Sequence, residues 1–272
     1  MKTPLLASLL LAASGASAQS TATLRGIDVY RSRLLTPEKA AALYGERIRE
    51  YVSLRNSHRS GTDQKAELLR RLLETEAAKT PGVARLELNL SEHYTSVDHA
   101  IYATFDVVDE ADRGRLAFTP APTRALPDPD GLIAVWKSYY ELGAALSKRG
   151  QLPVDRPDCP GFYCLWGGAT PELASLQSRF VLGATAKERE LRDALANPAD
   201  GDTRASALFV HSNGARGERL DESCLGAHTD PSAAVRGAAL QVLADVVNHH
   251  PHLRVDAEKI TPLLDDPSGS VR

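Results

Sequence analysis

The sequence predicts an α+β N-terminal domain of β-α-α-β-β order, followed by an all-α region of helical repeats. Three observations carry that fold class. Apolar residues alternate with a period of two at Leu86, Leu88 and Leu90, and again at Ile101, Ala103, Phe105 and Val107, as half-buried strands require. Elsewhere they recur at three- and four-residue spacing, which marks amphipathic helices. Finally, Asp230-Pro231-Ser232-Ala233-Ala234-Val235-Arg236 returns as Asp266-Pro267-Ser268-Gly269-Ser270-Val271-Arg272, with five of seven positions identical, and self-similarity at such a period signals a repeat architecture.

The chain has 272 residues, 43% hydrophobic and 25% charged, with a net charge of -3. This is a globular composition with enough length for sizeable cores, and its near-neutral balance offers no electrostatic footprint for nucleic acid. Lys2 precedes the apolar run Leu5 to Ala13, and Ala16-Ser17-Ala18 supplies an A-x-A site. Together these read as a signal peptide over residues 1–18, cleaved after Ala18, so the protein is expected to be periplasmic or secreted by a bacterium. The run falls short of the roughly 20 apolar residues of a membrane span, and no later transmembrane segment is expected. In that oxidising compartment Cys159 and Cys164, with four residues between them in a Pro- and Gly-rich loop, are expected to form a disulfide worth only about 2 kcal/mol.

Residues 22–110 make the α+β unit. Leu24 to Tyr30 reads as a strand with Ile27 and Val29 on one face. Thr36-Pro37-Glu38 then supplies an N-cap, a proline at the first helical position and a first-turn acid. The helix that follows buries Tyr44, Ile48, Tyr51 and Val52, and a second buries Ala66, Leu69, Leu73 and Ala77. Two alternating strands close the unit as a hairpin. This order, opening on Gly26 to Tyr30 and running into Thr36-Pro37-Glu38, resembles the POTRA domain of outer-membrane assembly and secretion proteins. The resemblance implies a polypeptide-binding module whose exposed strand edge accepts another strand. POTRA sequences often carry Gly in the turn after the first strand, where this chain has Arg31 and Ser32.

Residues 111–170 read as a connector with one helix. Pro120, Pro122, Pro127 and Pro129 keep Phe118 to Gly131 irregular. Asp128-Pro129-Asp130 caps a helix whose stripe is Leu132, Val135, Trp136, Tyr139, Leu142 and Leu146, and Gly150 ends it. Trp136, Tyr139 and Tyr140 could line a groove, but their spacing favours core packing.

From residue 171 to 272 the helical repeats are expected. Thr170-Pro171-Glu172 starts one helix, and Thr185-Ala186-Lys187-Glu188 reads as a capping box starting another. The motif positions are Asp230, Val235 and Arg236, then Asp266, Val271 and Arg272, with a degenerate copy around Asp202-Thr203-Arg204. Upstream of the motifs Cys224 aligns with Ile260, so Cys224 reads as a buried helix residue. Small residues at 238 and 239 allow close helix approach, Leu240 and Leu243 fill the core, and the turn Asp can pair with an Arg in the next helix of a stack. This pattern resembles HEAT repeats, especially the short bacterial kind also found in phycobilisome lyases; the repeat carries no catalytic residue, so lyase activity does not come with it. Because the last motif stops where a second helix should begin, the repeat region is expected to be truncated.

Candidates for chemistry are sparse. His249, His250 and His252 form one dense cluster that could bind a metal, although adjacent histidines at a helix end point apart. His93, His99 and Asp106 near the hairpin are the weak catalytic candidates, with the strand-end acids Asp106, Asp109 and Glu110 expected to face solvent. No nucleophile elbow or phosphate loop is present. The sequence therefore points to a non-catalytic interaction or scaffold protein that binds other proteins of the cell envelope, needs no cofactor, and acts through helical repeats and a sheet edge. The alternative is a secreted hydrolase with its site near the hairpin and connector.

Overall fold

Strand and helix periods sort the chain as they sort its apolar residues. The computed structural model describes residues 22–57, 61–94, 98–153, 161–214, 217–250 and 254–272. Residues 1–18, read from sequence as a signal peptide, together with Cys159, His252 and the side chain of His249, lie outside the described residues. The fold is α+β, a three-stranded sheet near the N-terminus followed mainly by helices. Among the described residues no helix is long and apolar enough to cross a membrane. The chain divides into two compact units. One comprises the residues up to Pro81 with Leu88–Phe105, the other Gly82–Glu87 with Asp106–Arg272.

Strand β1 (Ala22–Tyr30), helices α1 (Pro37–Arg55) and α2 (Thr62–Ala77), and strands β2 (Val83–Tyr94) and β3 (His99–Asp109) follow the predicted order. The sheet order is β1-β3-β2, which places β3 in the middle and leaves β1 and β2 as edges. Thr36 caps α1 by accepting from the amide of Lys39, with Pro37 in the first turn. Tyr44, Ile48, Tyr51 and Val52 are buried along α1, and Ala66, Leu73 and Ala77 along α2, while Leu69 is half-buried. The turn after β1 places Arg31 at a φ of 56°, the left-handed region where a side chain costs energy and glycine does not. In β3 the alternation of Ile101, Ala103, Phe105 and Val107 is buried as expected, but Asp106, Val108 and Asp109 are buried too. The strand end is thus covered on both faces, and the expectation that its acids face solvent is overturned for Asp106 and Asp109, while Glu110 is exposed.

The second unit holds helices α3 (Leu132–Lys148), α4 (Pro171–Ala186), α5 (Glu188–Ala196), α6 (Gly201–His211), α7 (Gly217–Gly226), α8 (Ala233–His249) and α9 (Ala257–Ile260). Asp128 accepts from the amides of Ile133 and Ala134, and Gly150 follows α3 at a φ of 64°, so the predicted start and stop of that helix are in place. Thr170 caps α4 through the amide of Leu173. The capping box at Thr185 does not form. Ala184 is buried and Gly183 lies against Leu132, so core packing carries α4 through Ala186, and α5 starts after Lys187 without a side-chain cap.

Region 111–170 is not a linker between two bodies but part of this unit's core. Trp136 stacks on Phe209 at 4.8 Å and Phe209 on Tyr163 at 4.7 Å, while Phe180 meets both Trp136 and Tyr139 edge-on. Gly143 lets Trp166 sit against α3, because a Cβ there would fall 2.1 Å from the indole Cδ1. Gly143→Ala is therefore expected to cost about 1–3 kcal/mol, read as a lower denaturation midpoint. An unchanged midpoint would refute this packing. Further along, α8 buries Val235, Ala238, Ala239, Val242, Leu243 and Val246, whereas Leu240 is only half-buried and does not fill the core as predicted. Cys164 is disulfide-bonded, and Cys224 is buried, as its place in a helix predicts.

Candidate functional site

The recurring Asp-Pro motif builds the same small structure each time. Asp230 Oδ1 accepts from the amide of Ser232, and Asp266 Oδ1 from the amide of Ser268, closing the turn before the next residues. Six residues on, Arg236 Nη1 donates to the carbonyl of Asp230, and Arg272 Nη1 to that of Asp266, each at 2.7 Å. In the degenerate copy Arg204 Nη1 donates to Pro198 O at 2.5 Å, the position that aligns with Asp230, and Asp200 caps α6.

The remaining guanidinium nitrogens reach the following copy. Arg204 clamps Asp230 with Nε and Nη2 at 2.9 and 2.6 Å, and Arg236 clamps Asp266 at 2.6 and 2.8 Å. Each turn Asp thus pairs with the Arg of the copy before it, the reverse of the predicted direction along the chain. The Arg236 side chain has 0% exposure and Asp266 2%, and the Arg236 guanidinium also lies 4.1 Å over the Phe118 ring. Arg272 continues the series onto a residue far away in sequence. Its guanidinium bonds Asp106 on β3, which also accepts from the amide of Gly269 at 2.9 Å. A Cβ at 269 would lie 2.5 Å from Asp106 Oδ2, so a side chain there would have to displace that carboxylate.

The segment from Arg115 into the proline-rich stretch braces the same three turns. Arg115 Nη2 donates to the carbonyls of Asp265 and Asp266, the Thr119 amide to Thr229 O, and the Arg124 amide to Asn197 O. Each acceptor set stands at or immediately before a motif start. Prolines suit such a strap because it is irregular and donates few amides.

Between these turns runs a groove of about 440 Å³ lined by α3, α6 and α8. Its α6 wall is Asp202, Ala205, Ser206 and Phe209, at helical spacings of three and four. Counting from Arg204 and Arg236, those positions correspond to Ala234, Gly237, Ala238 and Gln241, and these form the α8 wall. Ser270 stands where Asp202 and Ala234 stand in their copies. Trp136, Lys137, Tyr140 and Glu141 supply the α3 wall, and Tyr163 closes one side with its hydroxyl donating to Gln241 Oε1 at 3.2 Å. The aromatic residues of α3 therefore split between roles. Tyr139 is wholly core, Trp136 is buried but borders the groove, and Tyr140 is half exposed at its rim.

Burial pushes the Tyr139 phenol up to about 12, although its bonds with Trp166 N and Gly167 O oppose the shift. Its ordinary value is 10.0. Between pH 10 and about 12 the unfolded chain releases a proton that the folded chain keeps, so this contribution to stability is complete below pH 10 and lost as pH rises through that window. Tyr139→Phe is expected to flatten part of the alkaline fall of the melting temperature. An identical alkaline slope in the variant would count against this assignment.

The sequence-predicted site residues are engaged elsewhere. Asp106 commits both oxygens to Gly269 and Arg272 and is a structural ion-pair partner, not a free acid. His99 Nε2 lies 2.8 Å from Glu92, and His93 meets Tyr102 edge-on. His250 packs edge-on against Phe162 at 4.7 Å. Among the described residues no group of three His, Cys, Asp or Glu is placed to hold a metal. Phe209, Tyr163 and Gln241 were not singled out from sequence; laying the copies in register from Arg204 and Arg236 exposes the first and last of these, whereas Tyr163 follows no repeat. No family model, curated protein or solved structure is significantly similar to this chain.

Proposed function

We propose that the chain is an exported, non-catalytic interaction protein in which HEAT-like helical repeats hold a protein partner in the groove across α3, α6 and α8. The observation that carries this reading is the recurrence of one helix face, residues 202, 205, 206 and 209, at residues 234, 237, 238 and 241 along a single groove. Repetition of a face makes an extended binding surface, the usual use of stacked helical repeats. The floor of Ala and Gly admits a backbone, and the aromatic wall offers apolar area at low entropic cost. Export rests on Lys2, the apolar run and Ala18. The edges β1 and β2 of the POTRA-like sheet offer a second surface, suited to an added strand.

The test is site-specific crosslinking in the producing bacterium. A photoreactive residue in place of exposed Tyr140 should give an adduct of discrete mass, and one in place of exposed Leu182 on α4 should not. Absence of any adduct at position 140, or equal labelling at both positions, would overturn the groove as the interaction surface.

A further inference from the structure

We infer that the groove receives an extended peptide segment of about six residues that carries one basic side chain, the length following from helix spacing and strand rise. This rests on the interaction reading above and names its ligand class.

The length comes from geometry. Helix α6 packs against both α3 and α8, so the groove crosses three helices. Packed helices stand about 8–10 Å apart and an extended chain rises about 3.3 Å per residue, so about three residues step from each helix to the next. A backbone can lie close to α8 because Gly237 and Ala238 present almost no side chain there. Beside them, Gln241 and Ser270 offer hydrogen-bonding groups to a peptide main chain.

The charge comes from the lining. Lys137, Glu141 and Asp202 are its ionisable side chains besides the tyrosines. Lys137 acts on Asp200, whose carboxyl is held below the usual range first by the Thr203 hydroxyl, with Lys137 adding to amide bonds. Among the described residues neither Glu141 nor Asp202 is in an ion pair, so with Lys137 in the same lining the groove carries a net negative charge and two carboxylates open to a basic group. Tyr140 stands beside Glu141 on α3 with half its surface open, and a guanidinium set against the carboxylates can also lie on that ring. An acidic segment would meet two like charges in a partly enclosed site. An apolar segment would leave both carboxylates without a partner.

The experiment uses the full chain and acetylated, amidated hexapeptides in which one Arg is walked through an Ala-Leu background, with citrulline at the same position as the neutral isostere. Binding is read by anisotropy of a labelled peptide. For at least one position Arg should bind about tenfold or more tightly than citrulline, as a charge-assisted pair predicts. Glu141→Gln combined with Asp202→Asn should erase that difference without moving the melting temperature, since both residues are exposed. Equal binding of Arg and citrulline, or a preference that survives the double variant, overturns the inference. If no peptide binds while the adduct at position 140 still forms, the peptide class is wrong and the interaction reading stands. If both fail, both fall.

Discussion

Asp266→Ala is expected to lower stability by about 3–5 kcal/mol, because it leaves the Arg236 guanidinium buried without its counter-charge. For a protein of this size that corresponds to a melting temperature about 10 °C lower. The loss belongs to the broken pair and not to the removal of an attraction of that size. Desolvation of two buried ions nearly cancels their mutual attraction, so Arg236→Met combined with Asp266→Leu should recover more than half of the loss. The remainder covers the turn, since Asp266 also accepts from Ser268 and Arg236 also donates to Asp230 O. The contrasting pair Arg25–Asp98 is about half exposed, and Arg25→Ala should cost no more than about 0.5 kcal/mol. Melting curves of the three variants decide the matter. A double variant as unstable as Asp266→Ala would mean that the pair is not the source of the effect.

Gly237→Trp is expected to abolish the crosslink at position 140 while leaving the fold intact. A Cβ at 237 would meet only Ser270 O at 3.6 Å, an ordinary contact, and leaving glycine favours the helix by up to about 1 kcal/mol. The indole would project into the 440 Å³ groove and occupy the small-residue floor. The melting temperature should therefore hold or rise as the adduct disappears. A stable variant that still forms the adduct would move the interaction surface away from α8. A different outcome awaits the corresponding change at residue 201, where a Cβ would fall 2.2 Å from Ser232 Oγ and disturb the turn itself.

Much of the candidate site was legible once the copies were laid in register. The recurrence of Asp, Val and Arg predicted an ion pair between copies, and Arg204–Asp230 and Arg236–Asp266 form it. The same register aligns residue 209 with 241 and would have revealed the groove. The terminal pair was not legible. Asp106 and Arg272 are 166 residues apart, and no local pattern connects a strand end to a turn that distant. Nor was the strap, because its bonds all end on backbone carbonyls and two start from the amides of Thr119 and Arg124, so the residue types at the acceptor positions carry no signal. The chemically suggestive residues misled for a related reason. Asp106 looked like a strand-end acid because the sequence does not state what will cover it.

By itself the sequence determined the order of strands and helices, the caps at Thr36 and Thr170, and the periodic Asp and Arg, all of which depend on neighbours within a few residues or on repetition. Tertiary structure decided which of two locally sound options was used. Packing of Ala184 and Gly183 carried α4 past the capping box at Thr185. The path of α8 left Leu240 at the margin and put Val242 in the core. The stack of α3 on α6 buried Trp136 and Tyr139 and left Tyr140 open to the groove. In each case local preferences differ by about 1 kcal/mol or less, whereas burial of a large apolar side chain contributes about 2–3 kcal/mol, so the packing prevailed.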